Sequence, residues 1–235
     1  MKDVLGGEYA ESLEKYLADQ FPARNTWVTV KTLTDLAVGR REALAKFAKQ
    51  MEEKRIPTWT MLVPTTGTVL ADKLPAFAPY ADEQKVVDLA RSLGLNVVDL
   101  AQALGDHRGE YIYYRTDHHW TSLGAYYAYV AWMRARGSAP EDIGAWTKEE
   151  LCDNFRGTTY AKVNYPFTPY DTMDAYYKHV THTVIYNAGA STSDSVYEKK
   201  YLQGADQYAV FFNSNQAETV VKGEGQGKLP TRKPW

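Results

Sequence analysis

The chain has 235 residues and a formal net charge of −2 at pH 7. Because no basic field surrounds such a chain, its composition argues against a nucleic-acid-binding protein. Hydrophobic residues make up 44% of it and charged residues 24%, an ordinary balance for a globular protein that buries a core. Cys152 is the sole cysteine, which excludes an intrachain disulfide and a cysteine-based metal site.

Apolar stripes at helical spacing occupy the first 51 residues and predict three amphipathic helices that pack on a core. They run through residues 9–17, 27–37 and 44–51. The N-terminus carries no apolar run typical of a signal sequence, and no stretch is long and apolar enough to span a bilayer. We therefore expect a chain without a signal sequence or a membrane segment.

Two short apolar runs and two helical stripes then alternate along the chain. Residues 58–63 and 95–100 have the pattern of buried strands. Residues 82–93 and 122–136 have the pattern of helices, the second with Ser122 as its N-cap. This order predicts a central, mostly parallel sheet with helical crossovers, and hence an α/β protein. Ligands of such sheets bind beyond the carboxyl ends of the strands, so we expect a site in the loops there.

The second half of the chain has weaker patterns. A capping-box sequence at 147–150 predicts the start of a helix, whereas residues 167–177 are aromatic-rich and irregular. Residues 208–212 predict a short strand. We expect a single domain over residues 1–221, followed by a polar tail over residues 222–235.

The most informative stretch lies at residues 113–122 and reads Tyr-Tyr-Arg-Thr-Asp-His-His-Trp-Thr-Ser. Imidazole is the side chain whose ordinary pKa lies nearest neutrality, and is therefore the usual general base. A carboxylate two residues away, as Asp117 is from His119, can fix the tautomer and stabilise the imidazolium. In the alternative interpretation, Asp117 caps the next helix and both histidines face solvent. The dense aromatic surround favours a functional site.

A metal site is another hypothesis for the same stretch. Asp117, His118 or His119, together with His107, would be the ligands of a metal-dependent hydrolase. Adjacent histidines rarely aim at one ion, and the sequence has neither a further ligand cluster nor a glycine-rich phosphate motif. We therefore predict neither a metal nor another cofactor.

One longer string, from Tyr113 to Tyr129, reads Tyr-Tyr-Arg-Thr-Asp-His-His-Trp-Thr-Ser-x-Gly-Ala-Tyr-Tyr-Ala-Tyr. It closely resembles the signature of the DHHW protein family. Shorter segments resemble that family in the same order, at residues 20–24, 63–65, 73–75 and 155–158. The family is in turn similar to the SGNH-hydrolase-like domains of alginate O-acetyltransferases. The resemblance implies a flavodoxin-like three-layer fold in permuted order, in which an Asp-x-His motif precedes the nucleophilic serine.

For the site, the resemblance implies that His119 is the general base and Asp117 its orienting partner. Tyr114, Arg115 and Trp120 are the candidate substrate-binding residues within the same motif. For the function, the resemblance implies transfer or hydrolysis of acyl groups on cell-envelope polysaccharide. The partners would then be a polysaccharide, an acyl donor and a membrane-bound acyltransferase, and the location the cell envelope or the cell exterior.

The chain departs from the family's pattern at the nucleophile. Related domains carry their serine in a later strand-turn segment that resembles Lys-Asp-Ser-Tyr, and this sequence has no such segment. Its late serines, Ser191, Ser193, Ser195 and Ser214, fall in stretches that resemble earlier family segments. We therefore expect a shortened family member with an incomplete fold, inactive as an O-acetyltransferase or esterase. The alternative is a non-catalytic module that binds polysaccharide through a cleft of its 18 tyrosines and 6 tryptophans.

Overall fold

A computed structural model describes residues 45–55, 57–78, 83–178, 182–211 and 219–223. The helices predicted at 9–17 and 27–37 lie outside these residues, as do residues 224–235 of the predicted tail. The helix predicted at 44–51 is confirmed over its described part. No described helix has the length and apolar character that a bilayer crossing requires.

Short helices and strands alternate through the described residues. The helices are α1 (45–53), α2 (Thr66–Val69), α3 (Gln84–Ser92), α4 (Leu100–Gly105), α5 (Ser122–Ala135) and α6 (Thr158–Val163). The strands are β1 (Thr60–Met61), β2 (Val97–Val98), β3 (Thr147–Phe155), β4 (Asp171–Tyr177), β5 (His182–Tyr186), β6 (Ser191–Ser193) and β7 (Thr219–Gly223). The α/β class predicted from the sequence is therefore confirmed.

Two compact units divide the chain, and the first comprises residues up to Thr60 together with Gln84–Val97. Its helix α3 coincides, apart from the ends, with the stripe predicted at 82–93. The chain leaves the helix through Gly94, whose φ of +74° is a left-handed conformation that glycine adopts at little cost.

The runs predicted as strands at 58–63 and 95–100 do share one sheet, formed by β1 and β2. Each of these strands has only two residues, and the other described pairings are antiparallel. The described residues therefore do not contain the predicted central, mostly parallel sheet. The second run is shortened because the Asp99 carboxylate accepts from the Gln102 amide at 3.1 Å and caps α4.

The second unit comprises Met61–Glu83 and Val98–Trp235. Its helix α5 confirms the helix predicted at 122–136, but the N-cap is Thr121 and not Ser122. The Thr121 hydroxyl oxygen accepts from the Gly124 amide, whereas Ser122 donates its hydroxyl to a carbonyl on β4 at 2.6 Å. One core cluster of this unit lies between α5 and its neighbours and buries Val69, Leu104, Ile112 and Tyr113.

The prediction of a helix start at 147–150 was wrong, because these residues begin the nine-residue strand β3. β3 pairs antiparallel with β4, which lies within the stretch predicted to be irregular at 167–177. Alternate β4 side chains, Asp171, Met173 and Ala175, are fully buried. Since strand stability comes from such non-local contacts, pairing with β4 overrides the local capping pattern.

β5 lies between β6 and β7 in a three-stranded antiparallel sheet. The short strand predicted at 208–212 was also wrong, because Gln207–Val210 forms a 3-10 turn and Phe211 makes only an isolated bridge. This turn inserts Val210, which is fully buried, into a second core cluster with Tyr114, Phe155 and Met173. Its position against this cluster brings the turn next to the Asp-His-His motif.

Candidate functional site

The Asp-His-His motif lies on a loop that is closed at both ends. Tyr113 and Trp120 form an antiparallel bridge, and the Thr121 amide donates to the Ile112 carbonyl at 2.9 Å. A Cβ on Gly124 would lie 2.4 Å from that same carbonyl oxygen, so only glycine fits beneath the closure. These contacts hold the residues between the bridge partners in one fixed turn.

Asp117 is the buried centre of this loop, with 4% of its surface exposed. Its Oδ1 accepts from the backbone amide of His119 at 2.9 Å and from the Nδ1 of His119 at 2.5 Å. Its Oδ2 accepts from the amide of Thr158 at 2.7 Å and from the hydroxyl of Thr158 at 2.9 Å. Burial alone would raise the pKa of Asp117, but these hydrogen bonds outweigh it and hold the pKa below its ordinary value.

The contact with Asp117 determines the tautomer of His119. An ionised carboxylate only accepts hydrogen bonds, so His119 Nδ1 carries a hydrogen and Nε2 is left with a lone pair. The His119 side chain is 36% exposed, so part of the imidazole faces solvent. An imidazole in this state is equipped to take a proton from a hydroxyl group.

His118 occupies a different position. Its Nδ1 lies 3.5 Å from Asp117 and 2.7 Å from the Thr158 hydroxyl. Because that hydroxyl donates to Asp117, it accepts from His118, which therefore also carries its hydrogen on Nδ1. His119 is the histidine directly paired with the carboxylate, in keeping with the Asp-x-His spacing, whereas the His118 side chain is 62% exposed.

The segment Phe155–Thr158 supplies the other wall of the Asp117 pocket, a contact that sequence reasoning missed. A Cβ built on Gly157 would lie 2.2 Å from Asp117 Oδ2, so this position admits only glycine. Phe155 packs beneath the motif with its ring 5.1 Å from that of Tyr114. The resemblance of residues 155–158 to a family segment was the signal that could have identified this contact.

A second buried carboxylate, Asp171, holds the backbone of the loop, and sequence reasoning did not identify it. Asp171 is fully buried and accepts from the amides of Arg115 and Thr116 at 3.0 and 2.7 Å. The hydroxyls of Tyr111 and Thr116 donate to it at 2.5 and 2.6 Å. The hydroxyl oxygen of Thr116 also accepts from the Gly157 amide, which ties the two walls of the Asp117 pocket together.

The three candidate substrate-binding residues have different surroundings. Tyr114 is 2% exposed and packs in the second core cluster, and its role in substrate binding stays a prediction. Trp120 is partly buried and packs against the first core cluster. The Arg115 side chain is 61% exposed beside the motif, and its role in substrate binding stays a prediction.

Asp117, His118 and His119 are close enough together to be considered as metal ligands, within 4.8 Å of one another. Asp117, however, already accepts four hydrogen bonds from its neighbours, which occupy the lone-pair positions of a carboxylate. His107 is not part of this group and is hydrogen-bonded to Glu110 instead. The Asp117 carboxylate is therefore already engaged in a hydrogen-bonded network.

Two of the late serines that the structure describes accept hydrogen bonds from nearby backbone amides. The Ser193 hydroxyl oxygen accepts from the Ser195 amide at 3.2 Å, and the Ser195 hydroxyl oxygen accepts from the Tyr197 amide at 3.0 Å. Ser214 lies outside the described residues. Among the residues that the structure does describe, no serine hydroxyl is hydrogen-bonded to the His119 ring.

Solved structures resemble this chain over most of its length. A DHHW family protein from Eubacterium siraeum is 26% identical, with a TM-score of 0.62 over 77% of this chain and 65% of that one. PatB1 from Bacillus cereus is 15% identical, with a TM-score of 0.59 over 80% and 69% of the two chains. The O-acetyltransferase domain of AlgJ from Pseudomonas putida is 16% identical, with a TM-score of 0.50 over 65% and 61%.

One family model shows which family the chain belongs to. The chain spans 65% of the length of the DHHW family protein, and no curated protein matches it. The family model described as the SGNH hydrolase-like domain of the acetyltransferase AlgX matches residues 26–150, which is more than half of the chain. The chain therefore belongs to this SGNH hydrolase-like, acetyltransferase-type family, as its DHHW signature predicted.

Proposed function

We propose that Asp117 and His119 are the orienting carboxylate and the general base of a site for O-acetyl chemistry on cell-envelope polysaccharide. The observation that carries the proposal is the 2.5 Å contact between Asp117 Oδ1 and His119 Nδ1, made by a carboxylate that is otherwise fully hydrogen-bonded. Such a carboxylate stabilises the imidazolium that forms when Nε2 takes up a proton. Membership in an acetyltransferase-type family supports the acetyl group as the transferred unit.

In the proposed reaction, the hydroxyl oxygen of a nucleophile that this chain does not itself supply attacks the acetyl carbonyl carbon while its proton passes to His119 Nε2. The tetrahedral intermediate then breaks its bond to the leaving oxygen, which receives the same proton from Nε2. Protons and charge therefore balance over the two steps. The proposed partners of the chain are a polysaccharide, an acyl donor and a membrane-bound acyltransferase. The proposed location is the cell envelope or the cell exterior.

The proposal also holds that this chain does not supply the nucleophilic serine. Support comes from the sequence, which has no Lys-Asp-Ser-Tyr-like segment, and from the contacts of Ser193 and Ser195 described above. A base and orienter without a nucleophile leave only binding and electrostatic effects, which account for a small part of the rate in serine hydrolases.

A sulfonyl fluoride that reacts with activated serines tests this part of the proposal. We expect the mass of the purified chain to stay unchanged after incubation with phenylmethylsulfonyl fluoride. A sulfonyl adduct on a late serine that disappears in the His119→Ala variant would contradict the proposal. His107→Ala is the matched control, because it removes a histidine that also contacts a carboxylate.

A non-catalytic polysaccharide-binding role is the second candidate, and one surface favours it. Tyr165, Phe167 and Tyr170 are 56%, 81% and 53% exposed within six residues of one another, and the first two rings are 5.5 Å apart. Exposed aromatic faces suit the apolar faces of sugar rings. Sedimentation with insoluble cell-wall polysaccharide would then fall for Phe167→Ala and not for Phe77→Ala, which removes another exposed phenylalanine. Equal sedimentation of all variants would exclude this role for the surface.

A further inference from the structure

Tyr208 belongs to the 3-10 turn Gln207–Val210, which is distant in sequence from the Asp-His-His motif and contacts it in space. The turn is firmly held, because Val210 is fully buried and its carbonyl accepts from the Glu198 amide at 2.7 Å. The Gln207 side chain donates to the Leu202 carbonyl at 3.1 Å. The backbone that carries Tyr208 therefore has a defined position in the second unit.

The ring of Tyr208 is stacked on the imidazole of His119. The two centroids are 4.2 Å apart and the ring planes differ by 13°. The tyrosine ring also contacts Phe155 and Phe211, at 6.3 and 5.1 Å between centroids, so the ring is packed against the core. The contact with Asp117 fixes one edge of the imidazole, and the stack fixes the plane of the ring.

The hydroxyl of Tyr208 makes no hydrogen bond within the part of the chain that the structure describes. Burial, followed by the charge of Asp117, raises the pKa of Tyr208 to about 12, so the hydroxyl stays protonated at neutral pH. Since the hydroxyl has no partner there, the contribution of Tyr208 to His119 comes from the face of its ring.

We propose that Tyr208 is a positioning residue for His119: its stacked ring holds the imidazole so that Nδ1 stays on Asp117 and Nε2 stays open to a reactant. The proposal rests on the proposed role of His119 as the base. The turn that carries Tyr208 lies outside the Asp-His-His motif, and the sequence pattern predicted a strand there. With this role for Tyr208, the turn forms part of the site. The proposal also predicts that any flat aromatic ring at position 208 suffices.

Nitrogen NMR of the histidine rings tests the proposal without any turnover. Two-bond hydrogen–nitrogen correlations of ¹⁵N-labelled protein distinguish the two neutral tautomers, and the His119→Gln variant assigns the His119 signals. In the native chain and in Tyr208→Phe we expect His119 to be in the Nδ1–H tautomer. In Tyr208→Leu we expect the ratio of Nδ1–H to Nε2–H tautomer to fall roughly three- to tenfold, the factor that an aromatic pair supplies.

The control is Tyr197→Phe, which alters an aromatic residue of the same core cluster that has no ring contact with His119. A second non-aromatic variant, Tyr208→Met, guards against a folding defect specific to leucine. An unchanged tautomer ratio in the folded non-aromatic variants would overturn the proposal, as would an equal change in Tyr208→Phe or in the control. The outcome is separate from that of the proposed function, because a tautomer ratio does not depend on ester turnover or on a nucleophile.

Discussion

Two acid–histidine pairs in the second unit share most of their geometry. In the candidate site, His119 Nδ1 lies 2.5 Å from Asp117, and a tyrosine ring is stacked on the imidazole at 4.2 Å. Near the start of the motif loop, His107 Nδ1 lies 2.7 Å from Glu110, and the ring of Tyr127 is stacked on that imidazole at 3.4 Å. The two histidine side chains are also equally exposed, at 36% and 35%.

The carboxylates are what differ. The Asp117 side chain is 1% exposed and accepts four hydrogen bonds, whereas the Glu110 side chain is 44% exposed and accepts from His107 and Tyr127. The hydrogen bond from His107 is the main cause that lowers the pKa of Glu110. A histidine that contacts an acid and an aromatic ring therefore also occurs on the protein surface, outside the candidate site. The buried, fully hydrogen-bonded carboxylate is the feature that marks the candidate site.

The largest effect in this comparison is expected from Asp117→Asn. The asparagine nitrogen cannot accept the hydrogen bonds that one carboxylate oxygen receives, so buried donors lose their partner. We expect the free energy of unfolding in urea to fall by about 2–4 kcal/mol. A fall no larger than that of a surface substitution would show that the carboxylate is not the centre of the loop.

A smaller loss is expected from Gly157→Ala, because the added Cβ would overlap the Asp117 carboxylate. The cost of such overpacking is typically about 1–3 kcal/mol of unfolding free energy. Gly109→Ala is the matched control, since a Cβ there meets nothing within 4 Å and the backbone does not require glycine. Equal unfolding midpoints for the two variants would contradict the close contact.

Acid should reduce the difference in stability between the native chain and Asp117→Asn. The pKa of Asp117 is lowered in the folded chain, so its charged form stabilises the fold above the ordinary aspartate pKa of about 4. That stabilisation is lost as the pH falls through the lowered pKa. Urea unfolding of both proteins at pH 6 and pH 3 measures this, and a gap that stays constant over that range would contradict it.

The smallest effect is expected from Glu110→Gln. Its ion pair with His107 is exposed to solvent, which screens the charges, so the free energy of unfolding should change by less than about 1 kcal/mol. The same urea titration used for Asp117→Asn measures this. A loss as large as that of Asp117→Asn would remove the distinction between the two pairs.

The features that could be predicted from the sequence are those that depend on residues close together in the chain. The pairing of Asp117 with His119 and the helices α3 and α5 follow from spacings of two to four residues, and the structure has all three. The strand β3 was mistaken for a helix start, because its partner β4 was not visible in the local pattern. Gly157, Asp171 and Tyr208 were missed as neighbours of the motif for the same reason, since only the fold brings them there.

Turnover of an acetate ester by the purified native and His119→Ala proteins, side by side, is the most direct test of the account. We predict that the native chain hydrolyses an activated acetyl ester barely faster than the variant, because the chain supplies no serine for His119 to activate. If the chain used an unrecognised serine, the substitution would lower the rate by orders of magnitude, as the loss of a triad histidine does. Such a loss would contradict the account and would point first to the serines between Ser191 and Ser195.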